Sequence, residues 1–85
     1  MAELVLITRL GCCLCEGLED KLKALAVAFT LLDVDRDSDL LARFDLEVPV
    51  LLLRDGTNAE RVLPRVSPRL APAQLRSWLE SQGAV

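Results

Sequence analysis

At 85 residues the chain has room for one domain, and a domain of this size buries little more than about 60% of its unfolded surface, so its core must be efficient. The composition supplies that core: 52% of residues are hydrophobic and 27% charged, the balance of an ordinary globular protein. A net charge of −3 argues against a general binder of nucleic acid or anionic membranes, and no run approaches the roughly 20 apolar residues that span a bilayer.

The first residues enter a strand pattern with no basic region and separate apolar region ahead of it, so no secretory leader is expected and a cytoplasmic location is. Three cysteines in such a chain do not read as a structural disulfide framework. In a reducing compartment they point to metal binding or redox chemistry.

Leu4-Val5-Leu6-Ile7 is a continuous apolar run, the pattern of a central strand covered on both faces. Arg9-Leu10-Gly11 forms the connecting loop. A helix pattern then runs to about Ala26, with Cys15, Leu18, Leu22 and Leu25 on one face. Glu16, Glu19 and Asp20 fall early in it and Lys21 and Lys23 late, the order that the helix dipole favours. Gly17 is either a defect costing about 1 kcal/mol against Ala or a point of close approach to the sheet.

The pair Cys12 and Cys15 therefore sits where a strand hands over to a helix. Backbone N–H groups in a first helical turn lack intrahelical partners, and the macrodipole is positive there. A Cys12 thiolate gains from both, which predicts a pKa below the free value of about 8.5. Cys15, three residues on, lies on the same helical face, close enough to pair with Cys12 or to attack a mixed disulfide on it. The bland alternative is that both thiols are inert core residues. Cys13 points away from that face and reads as a spectator, with a part in exchange as the alternative.

Phe29 to Val34 is the second strand, completing a parallel, right-handed βαβ unit. Asp37 or Ser38 caps a short helix over Leu40 to Phe44. The alternating acids Asp33, Asp35, Asp37 and Asp39 hint at a calcium loop but lack its glycine and terminal glutamate, so a strand end followed by a helix cap explains them better. Val48-Pro49 opens the third strand, Val50 to Leu53. Asp55-Gly56 signals a hairpin turn, and Glu60 to Leu63 returns. Arg65 to Ala71 is loop. Pro72 starts a last helix that carries Leu75, Trp78 and Leu79 on one face and stops at Gly83.

The order β-α-β-α-β-β-α, Cys12-Cys13-Leu14-Cys15 after the first strand and Val48-Pro49 before the third together resemble the small bacterial glutaredoxin-like proteins of the thioredoxin fold. The resemblance spans nearly the whole chain. It implies a single α/β domain over residues 1–85, with a four-stranded mixed sheet in the order 2-1-3-4 flanked by three helices. It implies a thiol–disulfide oxidoreductase in which Cys12 is the nucleophile, Cys15 the resolving thiol and Arg9 a cation tuning the thiolate. Pro49 would be cis, presenting the Val48 backbone to an extended substrate strand. Substrates would be protein disulfides or glutathione mixed disulfides, with glutathione as co-substrate, no tightly bound cofactor and a monomeric state.

The chain departs from the glutaredoxin pattern in places. Cys13 stands where Pro is common, and the chain has no Tyr. Glu47 precedes Val48-Pro49 where Thr is usual, so its carboxylate opposes the helix dipole at Cys12 or favours cationic substrates. Arg65-Val66-Ser67-Pro68-Arg69 replaces the Gly-Gly and Asp signature that holds glutathione. Ser67 and Arg69 are the substitute candidates for binding its carboxylates. Two other readings stand beside the oxidoreductase: a glutathione-assisted iron–sulfur or metal module, and an interaction domain with little turnover.

Overall fold

The computed structural model describes residues 3–54, 59–67 and 69–84. Strand β1 (Glu3–Thr8) lies between β2 (Thr30–Asp33), to which it is parallel, and β3 (Val50–Arg54), to which it is antiparallel. A short β4 (Glu60–Val62) pairs antiparallel with β3, giving the order β2-β1-β3-β4. This is the predicted mixed sheet of the thioredoxin-like fold. The hairpin closes at Arg54 opposite Glu60, and its expected Asp55-Gly56 turn lies outside the described residues.

Strand periodicity sorts the core. Leu4 and Leu6 of β1 face one side with Leu51 and Leu53 of β3, under Leu18 and Leu22 of α1 (Cys13–Ala24) and Leu75 and Leu79 of α3 (Pro72–Ser81). Val5 and Ile7 face the other side with Val50 and Leu52, under Leu40 and Phe44 of α2 (Ser38–Phe44). Both faces of β1 and β3 are thus covered, which is why their sequences are apolar without alternation. Trp78 packs half-buried against the α1–α3 side, as core rather than site.

Two boundaries differ from the sequence pattern. The second strand is shorter than expected. The Asp33 side chain accepts the Asp35 N–H at 2.9 Å and turns Val34–Arg36 into a single 3₁₀ turn. The α2 helix begins earlier, because Asp37 is its cap, accepting from the N–H groups of Asp39 (2.9 Å) and Leu40 (3.2 Å). The alternating acids are therefore largely caps: Asp33 and Asp37 each hold a backbone turn.

Candidate active site

Gly11, at φ +80°, turns the chain out of β1 in a conformation that a side chain would strain. Cys12 follows as the N-cap of α1, with extended backbone at φ −87° and ψ 107°. Its carbonyl accepts the first helical bond from Glu16 N–H at 3.0 Å. Its sulfur accepts from Cys15 N–H at 3.2 Å, filling the place a Ser or Asp oxygen takes in an ordinary cap. Cys12 and Cys15 are joined as a disulfide, their Cα atoms 5.2 Å apart. Cys12 is half-buried and Cys15 fully buried, while Cys13 is an exposed free thiol.

The Val48–Pro49 peptide bond is cis, and Val48 is half-buried against the α2 side of the core. Pro49 forms part of the wall of a cleft of about 580 Å³, open mouth included, that begins at Cys13 and runs between α1 and the 65–70 segment. Leu14, Gly17, Leu18 and Lys21 contribute from α1, and Arg65, Val66, Ser67 and Leu70 from the facing segment. Glu47 lies in an adjoining hollow that shares Pro49, Arg65 and Val66 with the cleft. Leu10 and Leu46, 84% and 91% exposed, stand on the loops that carry Cys12 and lead into Pro49.

Of the residues singled out in the sequence, the structure gathers Pro49 and Ser67 into the cleft beside the cysteines and sets Glu47 next to it. Arg69 does not line it; its backbone N–H donates to Ser67 Oγ at 3.2 Å, bracing the loop. Of the two arginines of that run, Arg65 lines the cleft; a charged loop carries no local sign of which side chain turns inward.

Arg9 is held by two carboxylates. Its guanidinium turns toward Asp35, with Nε and Nη2 donating at 3.0 and 2.9 Å, and toward Asp45, with Nη2 donating to the carboxylate at 2.5 Å and Nη1 to the carbonyl at 3.0 Å. Hydrogen bonds to Asp35 first, then Asp45, hold Arg9 well above the ordinary arginine value, and the same bonds hold the Asp35 carboxyl below its own. One guanidinium thus bridges Asp35 and Asp45. Of the two readings of Gly17, the structure keeps the helix defect. A Cβ built there would meet nothing within 4 Å, so it does not mark close packing against the sheet.

A four-stranded mixed sheet in this order, three helices, and a cysteine pair capping the first helix define a small thioredoxin-fold domain with a dithiol centre. The chain belongs to the glutaredoxin-like domain family (DUF836), which matches residues 3–80. Among solved structures it is similar to the X-ray structure of the target protein XcR50 from X. campestris. That similarity is 32% in identity with a TM-score of 0.62, over 92% of this chain and 96% of that one. The solution structure of the same protein aligns at 31% identity and a TM-score of 0.61, over 93% and 94% of the two chains. A malarial protein at 15% identity and a TM-score of 0.54, over 95% and 96%, shares the fold alone. No curated protein matches the sequence closely enough to count as a relative. No helix among the described residues is long and apolar enough to cross a membrane.

Proposed function

We propose that the protein is a thiol–disulfide oxidoreductase working through Cys12 and Cys15. The observation that carries this reading is the graded exposure of a bonded pair at a helix N-terminus: a half-buried sulfur outside, a fully buried sulfur behind it. The outer sulfur can meet a substrate, and the inner one can meet only the outer.

In the reduced protein the Cys15 N–H and the α1 dipole favour the Cys12 thiolate. That thiolate attacks one sulfur of a substrate disulfide. The substrate disulfide breaks, a Cys12–substrate disulfide forms, and the displaced thiolate takes a proton from water. Cys15, deprotonated in turn, attacks the Cys12 sulfur and expels the second substrate thiol. The dithiol has then given two electrons and become the Cys12–Cys15 disulfide. A thiol donor returns them; in this reading glutathione does so, two molecules leaving as glutathione disulfide. Val48 beside the cis bond supplies the backbone edge against which an extended substrate lies.

The test equilibrates reduced protein in glutathione buffers of graded potential and maps the cysteines by intact mass and peptide analysis. The expected result is a Cys12–Cys15 disulfide forming within the glutathione range, with Cys13 outside it. Cysteines that stay unmodified throughout overturn the reading.

A further inference from the structure

Gly17 lies inside a 12-residue helix, where glycine costs about 1 kcal/mol relative to Ala. Nothing in the fold requires it. Its backbone is helical, and an added Cβ would stand in open space. Gly17 is also one of the residues that line the cleft beside the cysteines. A large side chain at this wall position would narrow the cleft without meeting the core.

The remaining walls describe an occupant. Leu14, Leu18, Val66, Leu70 and Pro49 make the cleft chiefly apolar. Lys21 and Arg65 are its charged lining residues, both cationic in a chain of net charge −3. The cleft starts at Cys13, next to the bonded pair, and shares Pro49 with the backbone edge at Val48. Glutathione has no apolar side chain to place in such a cleft.

We infer that the cleft kept open by Gly17 receives an apolar side chain within two residues of the reacting cysteine of an extended, neutral or acidic polypeptide disulfide. The inference rests on the oxidoreductase reading and names its substrate class. The substrate strand lies along Val48, its cysteine meets Cys12, and a neighbouring leucine-sized side chain enters between α1 and the 65–70 segment. One polypeptide disulfide takes two electrons from the Cys12–Cys15 dithiol and leaves as two thiols.

The test uses reduced protein and disulfide-linked dimers of two short peptides, one with leucine and one with serine at the positions flanking its single cysteine. Single-turnover reduction is followed by chromatography of acid-quenched samples, with glutathione disulfide as a third substrate. The leucine dimer should react roughly tenfold faster or more, and Gly17→Leu should bring the ratio close to one. Equal reduction of both dimers, or glutathione disulfide reacting as fast as the leucine dimer, overturns the inference and leaves the oxidoreductase reading standing. Reduction of none of the three overturns both. A folded Gly17→Leu protein that keeps the full preference also overturns it. Should that variant lose its helical circular dichroism, the leucine peptide trapped on Cys12 of a Cys15→Ser protein decides instead. Nuclear Overhauser contacts from the leucine methyls to Val66 and Leu70 support the inference, and their absence overturns it.

Discussion

Arg9 Nη2 stands 2.5 Å from Asp45 Oδ1, so one guanidinium ties the loop that carries Cys12 to the loop that leads into Pro49. The two loops leave the same end of the sheet, one just after β1 and one just before β3, where Ile7 pairs with Val50. We propose that Arg9 is a positioning residue, setting how the Cys12 loop and the loop before Pro49 face each other.

Replacing Arg9 with Gln should lower the rate of disulfide reduction roughly tenfold, since reaction rates are steep in small misplacements. The pH profile of Cys12 alkylation should stay where the wild type has it, because the guanidinium belongs to Asp35 and Asp45. Iodoacetamide labelling of the reduced protein, read by mass across roughly pH 5 to 9, separates the two roles. A profile displaced to higher pH would show that Arg9 tunes the thiolate after all.

The same cluster makes the fold acid-sensitive in a defined window. Hydrogen bonds from Arg9 hold the Asp35 carboxyl below its ordinary value of 3.8. On acidification the unfolded chain takes up this proton first. The contribution to stability is therefore complete above the unfolded value and fades as pH falls through the lower, folded one. Asp35→Asn should melt below the wild type by a constant interval from neutrality down to about pH 5, and the interval should narrow progressively as pH falls below the ordinary value of 3.8. Thermal melts by circular dichroism measure it; an interval that does not narrow at the acid end would sink the linkage.

Two helices end on the same backbone device with different residues in its strained position. After α1, Val27 N–H donates to Leu22 O (3.1 Å) and Ala26 N–H to Lys23 O (3.0 Å), with Ala26 at φ +56°. After α3, Ala84 N–H donates to Leu79 O (2.9 Å) and Gly83 N–H to Glu80 O (3.1 Å), with Gly83 at φ +74°. Only glycine takes the left-handed conformation without a Cβ penalty. Ala26→Gly should stabilise by about 1 kcal/mol and Gly83→Ala destabilise by about the same. In urea titrations the midpoints should move in opposite directions, and matching shifts would count against this account.

The sheet and helices were legible because each follows a local period. Leu4 to Ile7 is apolar throughout since both faces of β1 are covered, and Cys15, Leu18 and Leu22 keep the helical interval. Cys12 and Cys15 were legible because a strand-to-helix junction is itself a local pattern. Arg9 was not: its partners lie 26 and 36 residues away, and nothing near it in sequence marks them. The Arg65–Arg69 run is legible only as a run, since which of its residues line the cleft is set by what α1 presents across it. Gly17 is visible as an anomaly in the sequence, but only the empty space around its missing Cβ decides between a helix defect and close packing.

That anomaly gives a last expectation on stability alone. Were Gly17 there to let α1 approach the sheet, Ala would collide and destabilise. With nothing within 4 Å of the new methyl, the substitution keeps every contact and gains helix propensity. Gly17→Ala should therefore stabilise by about 0.5–1 kcal/mol, part of it through a less flexible unfolded chain. For a domain of this size the melting temperature should rise by roughly 3–6 °C. Calorimetry of the oxidised protein checks it under conditions where the Cys12–Cys15 bond stays closed. A fall in melting temperature would return Gly17 to a packing role and take away the reason for calling the cleft deliberately open.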